Sequence, residues 1–317
     1  VKINYQRPII NDDLLTQPMI DDLLPMTNVF AIALKQKQYK TYILSDETAN
    51  STLEVVPERG GIATSWLVEG KEMFYLDAER FANPDLTVRG GIPILFPICG
   101  NLPDNTYTHN GVELHLKQHG FARDLPWKAT EQVTEGCAAL TLVLNSSEKT
   151  QAVYPFDFQL AFTYQIKGNS LEIVQQYTNL GAEPMPFASG LHPYFLAADK
   201  TNLRFEIPGM QYRDQNTHEK GYFTGVFDPT LDEIDVSFDE LTGLAATVTD
   251  AGRGLRLTVS YNSSYGKLVF WMVKGKDFYC VEPWTAPRNA INTGEHLIYL
   301  QPGATCQMLV RMTATFF

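Results

Sequence analysis

Leu255-Arg256-Leu257-Thr258-Val259-Ser260-Tyr261 alternates apolar and polar residues over its whole length. Side chains of an extended chain point to opposite faces in turn, so this pattern marks a strand with one buried face. β-Branched and aromatic residues suit such a pleated, half-buried surface. Working outward, residues 138–144, 158–166, 171–178, 203–207, 268–273, 278–281 and 305–313 share this composition. Turn residues separate them at Lys167-Gly168-Asn169, Asn179-Leu180-Gly181, Asp250-Ala251-Gly252 and Pro302-Gly303. Upstream, residues 30–44 predict a strand or two interrupted by the polar 35–40 segment. Residues 53–56, 62–68 and 73–76 predict further strands, and 77–82 a short helix. No long amphipathic helix is apparent. Many strands with short turns predict an all-β protein, a large antiparallel β-sandwich.

The 317 residues hold a 44% hydrophobic fraction, ample for a core, and show neither a periodic repeat nor a Ser/Gly linker. A single domain over 28–317 is expected, preceded by an irregular surface arm over 1–27 with paired acids at Asp12-Asp13 and Asp21-Asp22. The net charge of −11 argues against nucleic acid or an anionic membrane as partner. No apolar run reaches the length of a membrane span. Cys99, Cys137, Cys280 and Cys306 are scattered without CxxC spacing, so neither a zinc site nor a disulfide framework is expected. Buried thiols and the lack of a signal pattern make the cytoplasm the expected compartment.

One stretch departs from strand grammar. Residues 89–127 (RGGIPILFPICGNLPDNTYTHNGVELHLKQHGFARDLPW) collect Gly, Pro, aromatics, two arginines, a glutamine and three of the six histidines. Gly90-Gly91 allows a sharp bend or a close backbone approach. Asn110-Gly111 has the chemistry of a tight hairpin turn. The stretch is read as two extended segments that bring Arg89, Gln118, His119 and Arg123 to one place. Two later segments set an ionisable residue before proline: Ser189-Gly190-Leu191-His192-Pro193-Tyr194-Phe195 and Phe278-Tyr279-Cys280-Val281-Glu282-Pro283-Trp284-Thr285. Proline biases the preceding residue toward extended backbone and withholds the next ladder donor. Both side chains are therefore expected where a strand leaves its sheet. Read singly, His192 is also a satisfied core histidine, Glu282 half of an ion pair, and the arginines loop braces. His109, His115, His218 and His296 read as solvent-facing.

Together, Arg89-Gly90-Gly91-Ile92-Pro93, Gln118-His119-Gly120-Phe121-Ala122-Arg123, Leu191-His192-Pro193-Tyr194-Phe195 and Glu282-Pro283-Trp284 resemble the aldose 1-epimerase (galactose mutarotase-like) family. The likeness covers roughly 50–315 and leans toward the branch of hexose-6-phosphate mutarotases. It implies a β-supersandwich with an open cleft across one sheet, and interconversion of the α and β anomers of an aldose. By position, His192 matches the general acid and Glu282 the general base, without metal or other cofactor. Arg89, Gln118, His119 and Arg123 match sugar-binding groups, and Asp214 an acidic one, with Asp228 competing for that role. Trp284, Tyr194 and Phe121 offer apolar faces to a sugar. The implied chemistry asks for an ionised Glu282 and a protonated His192 in the productive complex, on opposite sides of the ring.

The resemblance leaves the substrate open between an aldohexose and its 6-phosphate. Asn101-Leu102 replaces the Asn-Arg of galactose-type members, and two arginines suit a phosphate, whereas the 100–116 hairpin is more like free-sugar relatives. The expected partner is a small sugar or sugar phosphate, bound by a monomer or homodimer. A non-catalytic sugar-binding module remains the alternative. A glycosidase would place two carboxylates across the scissile bond, and the motifs supply only Glu282.

Overall fold

Five strands form an antiparallel meander at the start of the described chain: Phe30–Gln36, Lys40–Asp46, Ser51–Val56, Ile62–Val68 and Lys71–Glu72. The computed structural model describes residues 29–317, so the arm expected over 1–27 lies outside it. The short helix is present as Ala78–Ala82, and Asp77 caps it by accepting the Arg80 N–H at 3.0 Å.

Two eight-stranded sheets follow. The first runs, edge to edge, through Leu203–Glu206, Ala245–Asp250, Leu255–Tyr261, Thr305–Phe316, Ser170–Asn179, Phe158–Lys167, Ala138–Asn145 and Lys128–Val133. Every pairing in it is antiparallel. Alternation decides its faces. Phe158, Leu160, Phe162, Tyr164 and Ile166 are fully buried while the residues between them are half-buried. Each such buried side chain contributes about 1.5–3 kcal/mol. The second sheet orders Lys220–Tyr222, Gln211–Asp214, Glu233–Phe238, Lys267–Val273, Phe278–Trp284, Gly190–Leu191 and Ile94–Leu95, with Tyr194–Leu196 also paired to Phe278–Trp284. Phe162, Tyr177 and Val310 of one sheet share a core with Val236, Phe270 and Val281 of the other. The predicted all-β antiparallel sandwich is what the structure shows.

The middle of the second sheet is covered on both faces, which is where function becomes possible. Tyr279 and Val281 enter the common core. Phe278, Cys280, Glu282 and Trp284, at the alternate positions, turn the other way and are still buried. Likewise Ile234, Val236, Leu268 and Phe270 go inward, leaving Glu233, Asp235, Val269 and Trp271 to line a cavity on the opposite face. The register sets Asp235 opposite Trp271 and Val269 opposite Glu282. Three adjacent strands thus make one floor. Among the described residues no helix is long and apolar enough to cross a membrane.

Candidate active site

Gly190 pairs with Trp284, and Tyr194 with Cys280. One antiparallel register runs through both pairs, so it places His192 directly opposite Glu282. His192 Nε2 lies 3.4 Å from Glu282 Oε1, with 7% and 1% of the two residues exposed. The other carboxylate oxygen accepts the Trp284 indole N–H at 3.1 Å. The imidazole lies flat on Tyr194, ring centres 4.6 Å apart at 7°, with Trp271 edge-on. Its backbone N–H donates to Pro93 O at 3.1 Å. Both side chains are therefore held from several sides, as a preorganised pair must be.

Burial sets the protonation of this pair. It pushes the Glu282 carboxyl well above 4.5, helped by the charge of Asp235. It drives the His192 imidazole well below 6.5, with Arg123 and Arg89 adding to the depression. Burial thus disfavours the charged form of both groups, against the charges expected for the productive complex. The two groups also touch instead of facing each other across a ring.

His119 reaches the same place from the irregular stretch. Its φ of +66° is the left-handed turn that swings the side chain inward. Nδ1 accepts the Gly100 N–H at 3.0 Å, and burial, then the Arg123 charge, pushes the imidazole well below 6.5. A neutral ring whose Nδ1 accepts must carry its proton on Nε2. Its ring meets those of His192 and Trp284 edge-on, each 5.6 Å away.

Arg89, Gln118, His119, Arg123, His192 and Glu282, all expected from the sequence, line one cavity of about 220 Å³. Arg80, Glu233, Asp235, Trp271 and Arg288 also line it, without having been expected. Arg288 donates to Asp235 Oδ2 at 2.6 Å and to Asn101 Oδ1 at 3.1 Å, tying the floor to the loop before the hairpin. Among the described residues Asp235 Oδ1 is buried without a partner, and burial raises this carboxyl despite Arg288. Arg123 donates to Gln118 O at 2.7 Å, and its Nε is likewise buried and unpartnered. Arg89 lies 5.0 Å over the Trp271 ring. Among the described residues, Arg80, Arg89 and Arg123 have no carboxylate in ion-pair contact; Arg288 has.

The acidic assignments are corrected. Asp214 is outside the cavity lining; its carboxylate accepts the N–H groups of Asn216 and Thr217, both at 2.8 Å. Asp228 is spent in the same way on Thr230. Asp235, one strand nearer the floor, does line the cavity, beside Glu233 and Glu282. Tyr194 and Trp284 do line it, whereas Phe121 packs toward the core. His109 is half-buried against Phe156, not solvent-facing. All four cysteines are free.

A fold of this kind occurs in known proteins. The Slr1438 protein of Synechocystis sp. PCC 6803 is 42% identical, with a TM-score of 0.87 over 90% of this chain and 99% of that one. The galactose 1-epimerase of Lactobacillus acidophilus NCFM shares the fold at 16% identity, with a TM-score of 0.71 over 90% and 98% of the two chains. The "Putative glucose-6-phosphate 1-epimerase" of Cenchrus ciliaris is 31% identical over 188 residues, 56% of this chain and 54% of that protein. The match thus spans about half the length of that curated relative. Residues 42–313, which include every residue of the cavity and leave out the first strand of the meander, match the signature of the family described as Aldose 1-epimerase. With sandwich, cleft and the four sequence motifs converging on one floor, the chain belongs to the aldose 1-epimerase family.

Proposed function

We propose that this protein is a cofactor-independent aldose 1-epimerase that interconverts the α and β anomers of a hexose 6-phosphate. The observation that carries the reading is the 3.4 Å contact of His192 and Glu282 in a cavity shared with three arginines, Arg80, Arg89 and Arg123, that lack carboxylate partners among the described residues. Family membership and the glucose-6-phosphate name of one relative support it.

Mutarotation moves two protons. A base takes the proton from O1–H, C1–O1 becomes a carbonyl, the C1–O5 bond breaks and O5 receives a proton. The aldehyde turns about C1–C2, and the reverse steps close the ring on its other face. Both oxygens are bonded to C1, so an acid and a base side by side on the floor serve as well as a pair straddling the ring. Glu282 acts as base and His192 as acid, each worth about 10²–10⁴-fold. The pair holds one proton, which burial keeps on Glu282 until substrate arrives. A phosphate bound at Arg89 and Arg123 offsets two of the charges that depress His192. The shared proton then moves toward the imidazole, so the phosphate both anchors the sugar and readies the acid. The His119 Nε2–H and Asp235 Oδ1 offer a donor and an acceptor to sugar hydroxyls.

Two-dimensional exchange NMR tests the reading. Glucose 6-phosphate anomers are expected to cross at a rate proportional to protein concentration, with kcat/KM at least about tenfold above that of glucose, the worth of one charged contact. Faster exchange of glucose than of its phosphate overturns the phosphate assignment. Sugar binding without acceleration of either establishes the binding-module alternative. Asp235 supplies the second carboxylate that a glycosidase needs, so release of nitrophenol from nitrophenyl glycosides is the matching control; none is expected.

Arg89→Gln is expected to raise KM for the phosphorylated sugar about tenfold or more, since a hydrogen bond to a charged group is worth about 1.5–3 kcal/mol. KM for a neutral hexose should stay within about twofold. Equal changes for both sugars would show that Arg89 merely braces its loop.

A further inference from the structure

We infer that His192, Cys280 and Glu282 form a binding site for a thiophilic divalent cation, zinc above all, and that its occupation switches the proton-transfer pair off. The inhibitory half rests on the function proposed above; the binding half does not.

The strand Phe278–Trp284 builds this site by alternation. Cys280 and Glu282 are two residues apart and so share the face that carries the cavity floor. The register that sets Tyr194 against Cys280 brings His192 over the same spot. One donor atom from each of the three residues lies within 4.8 Å of the others, and all three residues are buried. Around a tetrahedral zinc, bonds of about 2.0–2.3 Å put neighbouring donors roughly 3.3–3.8 Å apart. The His192–Glu282 contact of 3.4 Å already has that spacing, and a side-chain movement of about 1 Å closes the rest. Among the described residues its buried Nδ1 has no hydrogen-bond partner, and Nε2 faces Glu282, itself a ligand.

The donor set chooses the metal. One imidazole, one thiolate and one carboxylate are the three ligand types zinc accepts, and three protein ligands leave a fourth position open to the cavity. Magnesium and calcium prefer all-oxygen shells. On binding, the Cys280 thiol and the Glu282 carboxyl each release a proton to solvent, and the cation takes their place. The lone pairs of His192 and Glu282 are then committed to metal bonds, so neither can carry a proton between O1 and O5. Cys280 has no other part in the proposed reaction. Neither cysteine spacing nor any short motif announces the cluster, because its members come from positions 192, 280 and 282.

The full chain, stripped with a chelator, is titrated with Co²⁺ and then Zn²⁺. One Co²⁺ per chain is expected, with a thiolate-to-cobalt charge-transfer absorption that Zn²⁺ abolishes by displacement. Stoichiometric Zn²⁺ is expected to slow anomer exchange at least tenfold, EDTA to restore it, and Mg²⁺ to do nothing. Cys280→Ser should lose the absorption and need at least tenfold more Zn²⁺ for inhibition, while exchanging anomers at the native rate without metal. Cys280→Ala serves where the serine variant fails to fold. The variants also separate this site from Cys99, Cys137 and Cys306. A folded native chain without the absorption, or an absorption that survives both Cys280 variants, overturns the site. Zinc binding at Cys280 with undiminished or faster exchange overturns the inhibition. Because the absorption does not depend on turnover, an inactive protein would refute the epimerase reading and leave the cation site tested on its own.

Discussion

Glu282→Gln is expected to lose at least about 10²-fold in anomer exchange and yet to melt higher than the native chain at pH 8. The two effects have one cause. Burial holds the Glu282 carboxyl well above the 4.5 it has when exposed. Between 4.5 and that raised value, the folded state binds more protons than the unfolded one. Stability therefore falls as pH rises through this window, opposite to the usual salt-bridged carboxylate. Glutamine carries no charge to bury, still accepts the Trp284 indole N–H, and can donate its amide N–H to His192 Nε2. The difference in Tm between variant and native chain should be near zero below pH 4.5 and grow above it. A rise of about 2 °C or more marks about 1 kcal/mol for a chain of this size. His192→Asn is expected to lose a similar factor in rate. Its pH-dependent gain belongs at the other end, because the imidazole is depressed below 6.5 and costs stability as pH falls beneath that value. Calorimetry at several pH values and exchange NMR read both. Turnover within tenfold of native by either variant would remove that residue from the chemistry.

Six cavity residues were legible in the sequence because each lies in a stretch that departs from strand grammar; Glu282 sits in a strand and the other five lie outside the strands. His192 and Glu282 precede prolines among apolar neighbours, where a sandwich core has no use for them. Their contact was not legible. It comes from a register set jointly by Gly190–Trp284 and Tyr194–Cys280, residues nearly a hundred positions apart. Nor was the protonation, which depends on how completely other strands cover the pair. Leu255–Tyr261 was an easy strand, since its polar positions are residues that strands tolerate. Glu233–Phe238 alternates as cleanly, but Asp and Glu are depleted in strands. Asp235 belongs to none of the four motifs, and the resemblance assigns the acidic role to Asp214, with Asp228 competing for it. Both of those fit turn chemistry, and both prove to cap their own turns. Arg288 follows the strand in an irregular loop, where no periodicity marks which side chain turns inward.

Gly91→Ala is expected to cost about 2–5 kcal/mol, the sum of a left-handed backbone penalty and overpacking, and to lower Tm by roughly 10 °C. At Gly91, φ is +59°, and an added Cβ would stand 2.2 Å from the Ala63 carbonyl oxygen. That oxygen is fixed by accepting the Ile92 N–H at 2.9 Å. It belongs to the meander, so the Arg89-Gly90-Gly91 motif is the seam between meander and cleft sheet. Gly111 provides the control. Its φ of +78° is equally left-handed, yet nothing lies within 4 Å of its would-be Cβ. Gly111→Ala should therefore show the backbone penalty alone, about 1–2 kcal/mol. The two variants should differ further in turnover, measured well below either Tm. The Gly91 oxygen accepts the Tyr194 N–H at 2.9 Å, and the Pro93 oxygen accepts the His192 N–H at 3.1 Å. Any shift of this seam moves the imidazole and the ring it stacks on, and a displacement near 1 Å can cost about 10²-fold. Equal losses of Tm and rate from both substitutions would mean that the close approach at Gly91 supports neither the fold nor the placement of His192.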